Sequence, residues 1–148
     1  MFSYEALLRG RTGEPAATVL REVRPAGASA FNEKCRLTTI DLAVRLGLTS
    51  RLNLNFMPSY LKMSPTAVPS LLEAARRGNI PPGRITLEIL ESDIIEGIED
   101  FAAAINAYRS SGLTFAIDDF GSGYAGLNLL AEFQPDFVRS EEHTSELQ

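Results

Sequence analysis

Residues 113–124 read Leu-Thr-Phe-Ala-Ile-Asp-Asp-Phe-Gly-Ser-Gly-Tyr, LTFAIDDFGSGY. A short, mostly apolar run ends in two adjacent carboxylates, Asp118 and Asp119, and a glycine-rich turn follows at once. The run from Leu113 to Ile117 predicts a buried strand. Gly112 stops the helix expected before it, Ile98 to Ser110, whose Phe101, Ile105 and Tyr108 share one side. Adjacent strand residues point to opposite faces, so both aspartates reach one pocket only where the strand ends or bulges. Gly121 and Gly123 permit such a departure.

The same alternation extends in both directions. Phe2 to Leu8 reads as a strand, Ala16 to Val23 as a short helix, and Phe31 to Leu46 as a long one. In the long helix Phe31, Cys35, Leu42 and Leu46, with Ile40 and Ala43 beside them, fit one face, and Ser29 is the expected cap. RLNLNFM alternates as a strand, with Leu52, Leu54 and Phe56 set against Asn53 and Asn55. A helix is expected from MSPTAV to Arg77, then a strand from Arg84 to Leu90. After the 113–117 strand come a short helix, Leu127 to Glu132, and a last strand at Pro135–Val138. Strand and helix in turn imply an α/β fold with a parallel sheet covered by helices.

Composition narrows the chemistry. The 148 residues are 45% hydrophobic, which suits a buried core, and the net charge of -5 gives no basic footprint for DNA. Cys35 is the single cysteine, expected to be buried, so no disulfide forms within the chain. The opening MFSYEALLRG lacks the pattern of a signal peptide, and no 18-residue apolar span predicts a membrane segment. A cytoplasmic location is expected. No dinucleotide fingerprint follows a strand. The lone histidine, His143, lies far from the strands, which excludes an imidazole-rich metal site and serine–histidine catalysis.

In such folds chemistry gathers at the C-terminal ends of strands. Glu5, Asn55, Glu88, Asp118 and Asp119 each interrupt or end an apolar strand. Singly, each also reads as a solvated strand end, a cap or a structural ion pair. Together they are oxygen donors from four strands, suited to hard cations such as Mg2+ or Mn2+. Two adjacent carboxylates are costly unless solvated or met by cations. Two such ions suit phosphodiester cleavage.

Four segments in register resemble the EAL-domain cyclic-di-GMP phosphodiesterases, which have a modified (β/α)8 TIM-type barrel. The name-giving triplet is Glu5-Ala6-Leu7. The family's asparagine matches Asn55 in LNLNFMP, its Glu-x-x-Glu matches Glu88 and Glu91 in LEILES, and its double aspartate matches Asp118-Asp119. The wording of YEALLRG, NFMP and GYAGLNLL is similar to a branch associated with blue-light-sensing flavin domains. The resemblance implies that Glu5, Asn55, Glu88 and Asp118 ligate metal, with Asp119 serving a second ion. It implies Arg9 on a substrate phosphate and Glu91 anchoring the loop Phe120 to Tyr124. It further implies hydrolysis of cyclic-di-GMP to linear pGpG, or binding of the nucleotide or a regulatory protein without cleavage. An EAL–EAL dimer and a sensor domain are expected partners in a longer parent.

One position departs from the family. Its catalytic lysine falls where this chain has Arg139, a group that stays protonated and is a poor base. From there the chain reads RSEEHTSELQ, which resembles the translation of a sequencing adapter. The expectation is a partial EAL domain over 1–138 with a non-native tail at 139–148. No general-base lysine is then present, and the fragment itself is expected to be inactive.

Overall fold

A computed structural model describes residues 3–59, 63–94, 98–121 and 126–140. The Ser122–Tyr124 part of the expected anchored loop lies outside the described residues, as do Phe2, His143 and the tail beyond Ser140.

The elements run β1 (Ser3–Ala6), α1 (Ala16–Glu22), α2 (Ala28–Arg45), β2 (Arg51–Asn55), α3 (Ala67–Arg77), β3 (Ile85–Leu90), α4 (Glu91–Ile94), α5 (Ile98–Arg109), β4 (Thr114–Asp118), α6 (Gly126–Phe133) and β5 (Phe137–Val138). The five strands form one parallel sheet in the order β1-β2-β3-β4-β5. Right-handed crossovers between strands placed in chain order put every helix on the same face. That is the winding of a (β/α) barrel wall, and the sheet is a partial (β/α)8 TIM-type barrel.

The two faces divide by chemistry. Leu52, Leu54, Phe56, Ile85, Leu87, Ile89, Phe115 and Ile117 join helix residues such as Ile40, Leu71, Ile105 and Leu129 in one buried cluster. The alternate residues make the inner face. At its N-terminal end Arg51 donates to Thr86 at 3.3 Å and Thr114 at 3.0 Å and lies 4.9 Å from the Phe137 ring. At its C-terminal end stand the acidic residues.

Helix α3 shows why the outer face holds. Ala67, Val68, Leu71, Ala74 and Ala75 recur at helical spacing and are all buried. Gly78 ends the helix where a Cβ would stand 2.5 Å from Val44 Cγ2, so α2 and α3 meet closely there. Arg84 ties the next turn down, donating to Leu48 O at 2.5 Å and Ser50 O at 2.9 Å.

Helix α2 departs from the sequence reading. Its buried residues are Ser29, Arg36, Ile40 and Ala43, whereas Leu42 and Leu46 are exposed. Ser29 is not the cap: Gly27 holds that place and Ser29 lies in the first turn. Arg36 is buried with its guanidinium 5.2 Å from the Phe56 ring centre, a cation–π contact that an apolar pattern does not register. Cys35 is half-buried rather than buried, and partial burial raises its thiol pKa. The short helix α4, directly after β3, was not anticipated.

Candidate metal and phosphate site

The parallel register explains how distant residues meet. Asn55 stands opposite Glu88, and Leu90 stands opposite Asp118. Glu5 stands opposite Asn53, one pleat below Asn55 on the same face. Glu88 is the deepest, with a fully buried side chain, while those of Glu5 and Asp118 are 31% and 28% exposed.

These three carboxylates surround one cation, the Arg139 guanidinium. It hydrogen-bonds Glu88, reaches Glu5 at 3.4 Å and lies 3.8 Å from Asp118. Its backbone is fixed by the sheet: Arg139 N–H donates to Ile117 O at 2.8 Å, and Phe120 N–H donates to Arg139 O at 3.0 Å. Burial raises the pKa of Glu88, and the Arg139 hydrogen bond and charge oppose that rise. Burial alone would lower the pKa of Arg139, but Glu88 and the neighbouring carboxylates raise it.

The turn after β4 solves the problem of the paired aspartates. Strand β4 ends at Asp118, and Asp119 already sits in the left-handed region at φ 56°. Aspartate is among the few residues that tolerate it. Asp119 N–H donates to Asp118 Oδ1 at 2.9 Å, which closes the turn on itself. Gly121 follows at φ 98°. The departure therefore begins at the second aspartate, before the glycines.

Glu91 lies apart from the cluster and is fully buried. Its carboxylate accepts Gly121 N–H at 2.9 Å and Gly126 N–H at 3.3 Å, bridging the two sides of the turn between β4 and α6. Gly126 opens α6, so the anion also meets the positive end of a helix. Asn55 and Arg9 are exposed at the rim, and Arg9 donates to Leu8 O at 2.8 Å. Both line, with Glu88, a cleft of about 950 Å³ between α1, α2 and the strand ends.

The donor set suits a hard divalent cation, since it offers carboxylate and amide oxygens. Glu88 Oε2 is buried with no hydrogen-bond partner among the described residues, an orphaned acceptor at the centre of the cluster. Among the described residues no three Asp, Glu, His or Cys side chains converge closely enough to clamp an ion. The Arg139 guanidinium lies among the carboxylates instead.

Two contributors were missed in the sequence. Asn53 donates to Glu88 Oε1 at 2.8 Å, and the alternation that places Asn55 on the inner face places Asn53 there too. In the sequence Arg139 reads as a missing base at the head of a non-native tail, yet two residues after Phe137 on a paired strand it shares that face.

A parallel, singly wound sheet with carboxylates at its strand ends defines a barrel-type α/β domain. The chain belongs to the EAL domain family, which matches residues 1–144. It is 30% identical over 140 residues to the blue light- and temperature-regulated antirepressor BluF of Escherichia coli, covering 94% of this chain and 35% of that protein. It is 27% identical over 115 residues to the probable cyclic di-GMP phosphodiesterase PdeG of the same organism, covering 78% of this chain and 22% of PdeG. Klebsiella pneumoniae BlrP1, solved as a manganese/cy-diGMP complex, superposes with TM-score 0.87 at 32% identity, covering 93% of this chain and 36% of that one. A standalone EAL protein from Vibrio cholerae O395, solved with c-di-GMP bound, gives 0.84 at 41% identity, covering 94% and 59%. The chain thus spans about a third of BluF and of BlrP1. Among the described residues no helix is long and apolar enough to cross a membrane.

Proposed function

We propose that residues 1–138 are part of an EAL domain whose parent protein hydrolyses one phosphodiester of cyclic-di-GMP, giving linear pGpG. The observation that carries this reading is the meeting of Glu5, Glu88 and Asp118, from three strands, around one cationic centre beside the cleft. Glu5, Asn55, Glu88 and Asp118 would hold Mg2+ or Mn2+, with Asp119 and Asp118 serving a second ion. When bound, such ions supply a water acidified toward neutral pH and charge for the phosphate oxygens. Arg9, at the rim, would pair with a substrate phosphate. Glu91 holds the turn that carries both aspartates. The comparison with BlrP1, a manganese/cy-diGMP complex, supports the ligand class. The parent is proposed to be cytoplasmic, to carry a sensor domain and to form an EAL–EAL dimer.

The 148-residue chain itself is proposed to be inactive. Position 139 follows β5 into the acidic centre, where the family resemblance puts a lysine base, and arginine does not deprotonate. If 139–148 is a non-native tail, the parent's residue at 139 is a different one.

A second reading is binding without cleavage, and one observation favours it. Arg139 already neutralises the carboxylates, as a resident cation would. The test is to incubate the purified chain with Mn2+ and cyclic-di-GMP, following pGpG by chromatography and binding by calorimetry. Binding without pGpG supports the reading for this chain. Metal-dependent turnover would overturn its inactivity, and absence of binding would count against both readings. A parent extending beyond position 138 should yield pGpG if it carries the lysine.

A further inference from the structure

We infer that Asn53 is a positioning residue for Glu88, holding one carboxylate oxygen so that the other faces a divalent cation; this rests on the metal reading above. Asn53 is 9% exposed and sits on the inner face of β2, directly below Asn55. Its Nδ2 donates to Glu88 Oε1 at 2.8 Å. A carboxylate only accepts, so the amide nitrogen, not the oxygen, must face it.

The distribution of donors on Glu88 is uneven. Asn53 and Arg139 both donate to Oε1, while Oε2 is buried and receives nothing among the described residues. Asn53 Oδ1, on the other branch of the same amide, is likewise buried and unpartnered. An ionised oxygen buried without a donor is costly unless a cation meets it. Two hard oxygens are thus left without a donor on adjoining side chains, and the hydrogen bond between the other branches of those side chains fixes their orientation. Losing a partner that orients a metal ligand commonly lowers metal affinity by about 10–100-fold.

The experiment measures Mn2+ binding by loss of the free-ion electron paramagnetic resonance signal, for the full chain, Asn53→Leu and Asn53→Gln. Melting in EDTA serves as the folding control. Asn53→Leu keeps the volume and loses the donor, and it is expected to weaken Mn2+ binding about tenfold or more. Asn53→Gln keeps an amide and should recover most of the loss, while the melting temperatures in EDTA stay close together. A Leu variant that binds Mn2+ as well as the unmutated chain would overturn the inference. So would equal weakening by Leu and Gln, because the donor would then be irrelevant. No Mn2+ binding by the unmutated chain would instead remove the metal reading, and this inference with it.

Discussion

The guanidinium of Arg139 and the buried carboxylate of Glu88 share a hydrogen bond that joins the end of β5 to the inner face of β3. One partner is 44% exposed and the other fully buried. Removing the cation leaves a buried negative charge with less compensation. Arg139→Gln should lower stability by about 1–3 kcal/mol, the upper end being reduced by the solvent around Arg139. Mn2+ should then raise the melting temperature of Arg139→Gln by more than that of the unmutated chain, because a free ion replaces the lost charge. Equal Mn2+ shifts would show that the guanidinium and the metal do not compete.

Glu88 also sets a pH dependence. Burial, the dominant cause, holds its pKa above the ordinary value of 4.5. Between that value and the raised one, the folded chain binds more protons than the unfolded chain, so stability falls as pH rises through this window. Thermal melts from pH 4 to pH 7 in EDTA should show this fall in the unmutated chain and a weaker one in Glu88→Gln. Parallel curves would argue against a raised Glu88.

Glu91 accepts two backbone N–H groups on either side of the β4–α6 turn. Glu91→Ala strips both acceptors and leaves a void at a fully buried position. The expected loss is about 2–4 kcal/mol, with faster hydrogen exchange at the Gly121 and Gly126 amides than at β2. Uniform acceleration across the chain would mean global destabilisation and no special hold on the turn.

Gly78 allows α2 and α3 to approach. Gly78→Ala would place a Cβ 2.5 Å from Val44 Cγ2, and the stiff valine side chain must shift. A loss of about 1–3 kcal/mol is expected, and most of it should vanish in the Val44→Ala background. An additive double variant would locate the strain elsewhere.

Much of the fold was legible because strand and helix signals in this chain are local. Leu52, Leu54 and Phe56 alternate, and Ala67 to Ala75 repeat at helical spacing, so each element declared its own period. The candidate donors Glu5, Asn55, Glu88 and Asp118 stood out as polar interruptions of apolar runs. The failures came where a side chain's fate is set by a distant partner. Leu42 and Leu46 look like core residues but face outward, while Arg36 looks solvated and is buried over Phe56. Asn53 looked like the polar side of a half-buried strand. Only the parallel register with β3 shows that its polar side is the interior of the barrel wall.

The strictly consecutive strand order has a consequence for assembly on the ribosome. Among the described residues each strand pairs only with the one made just before it and the one made just after, so the wall can zip in the direction of synthesis. The Asn53–Glu88 contact spans 35 residues, a single unit of that process. The side chain of Glu5 reaches much further along the chain. Its ion pair with Arg139 bridges 134 residues, so the carboxylate of β1 is answered only once β5 has been made.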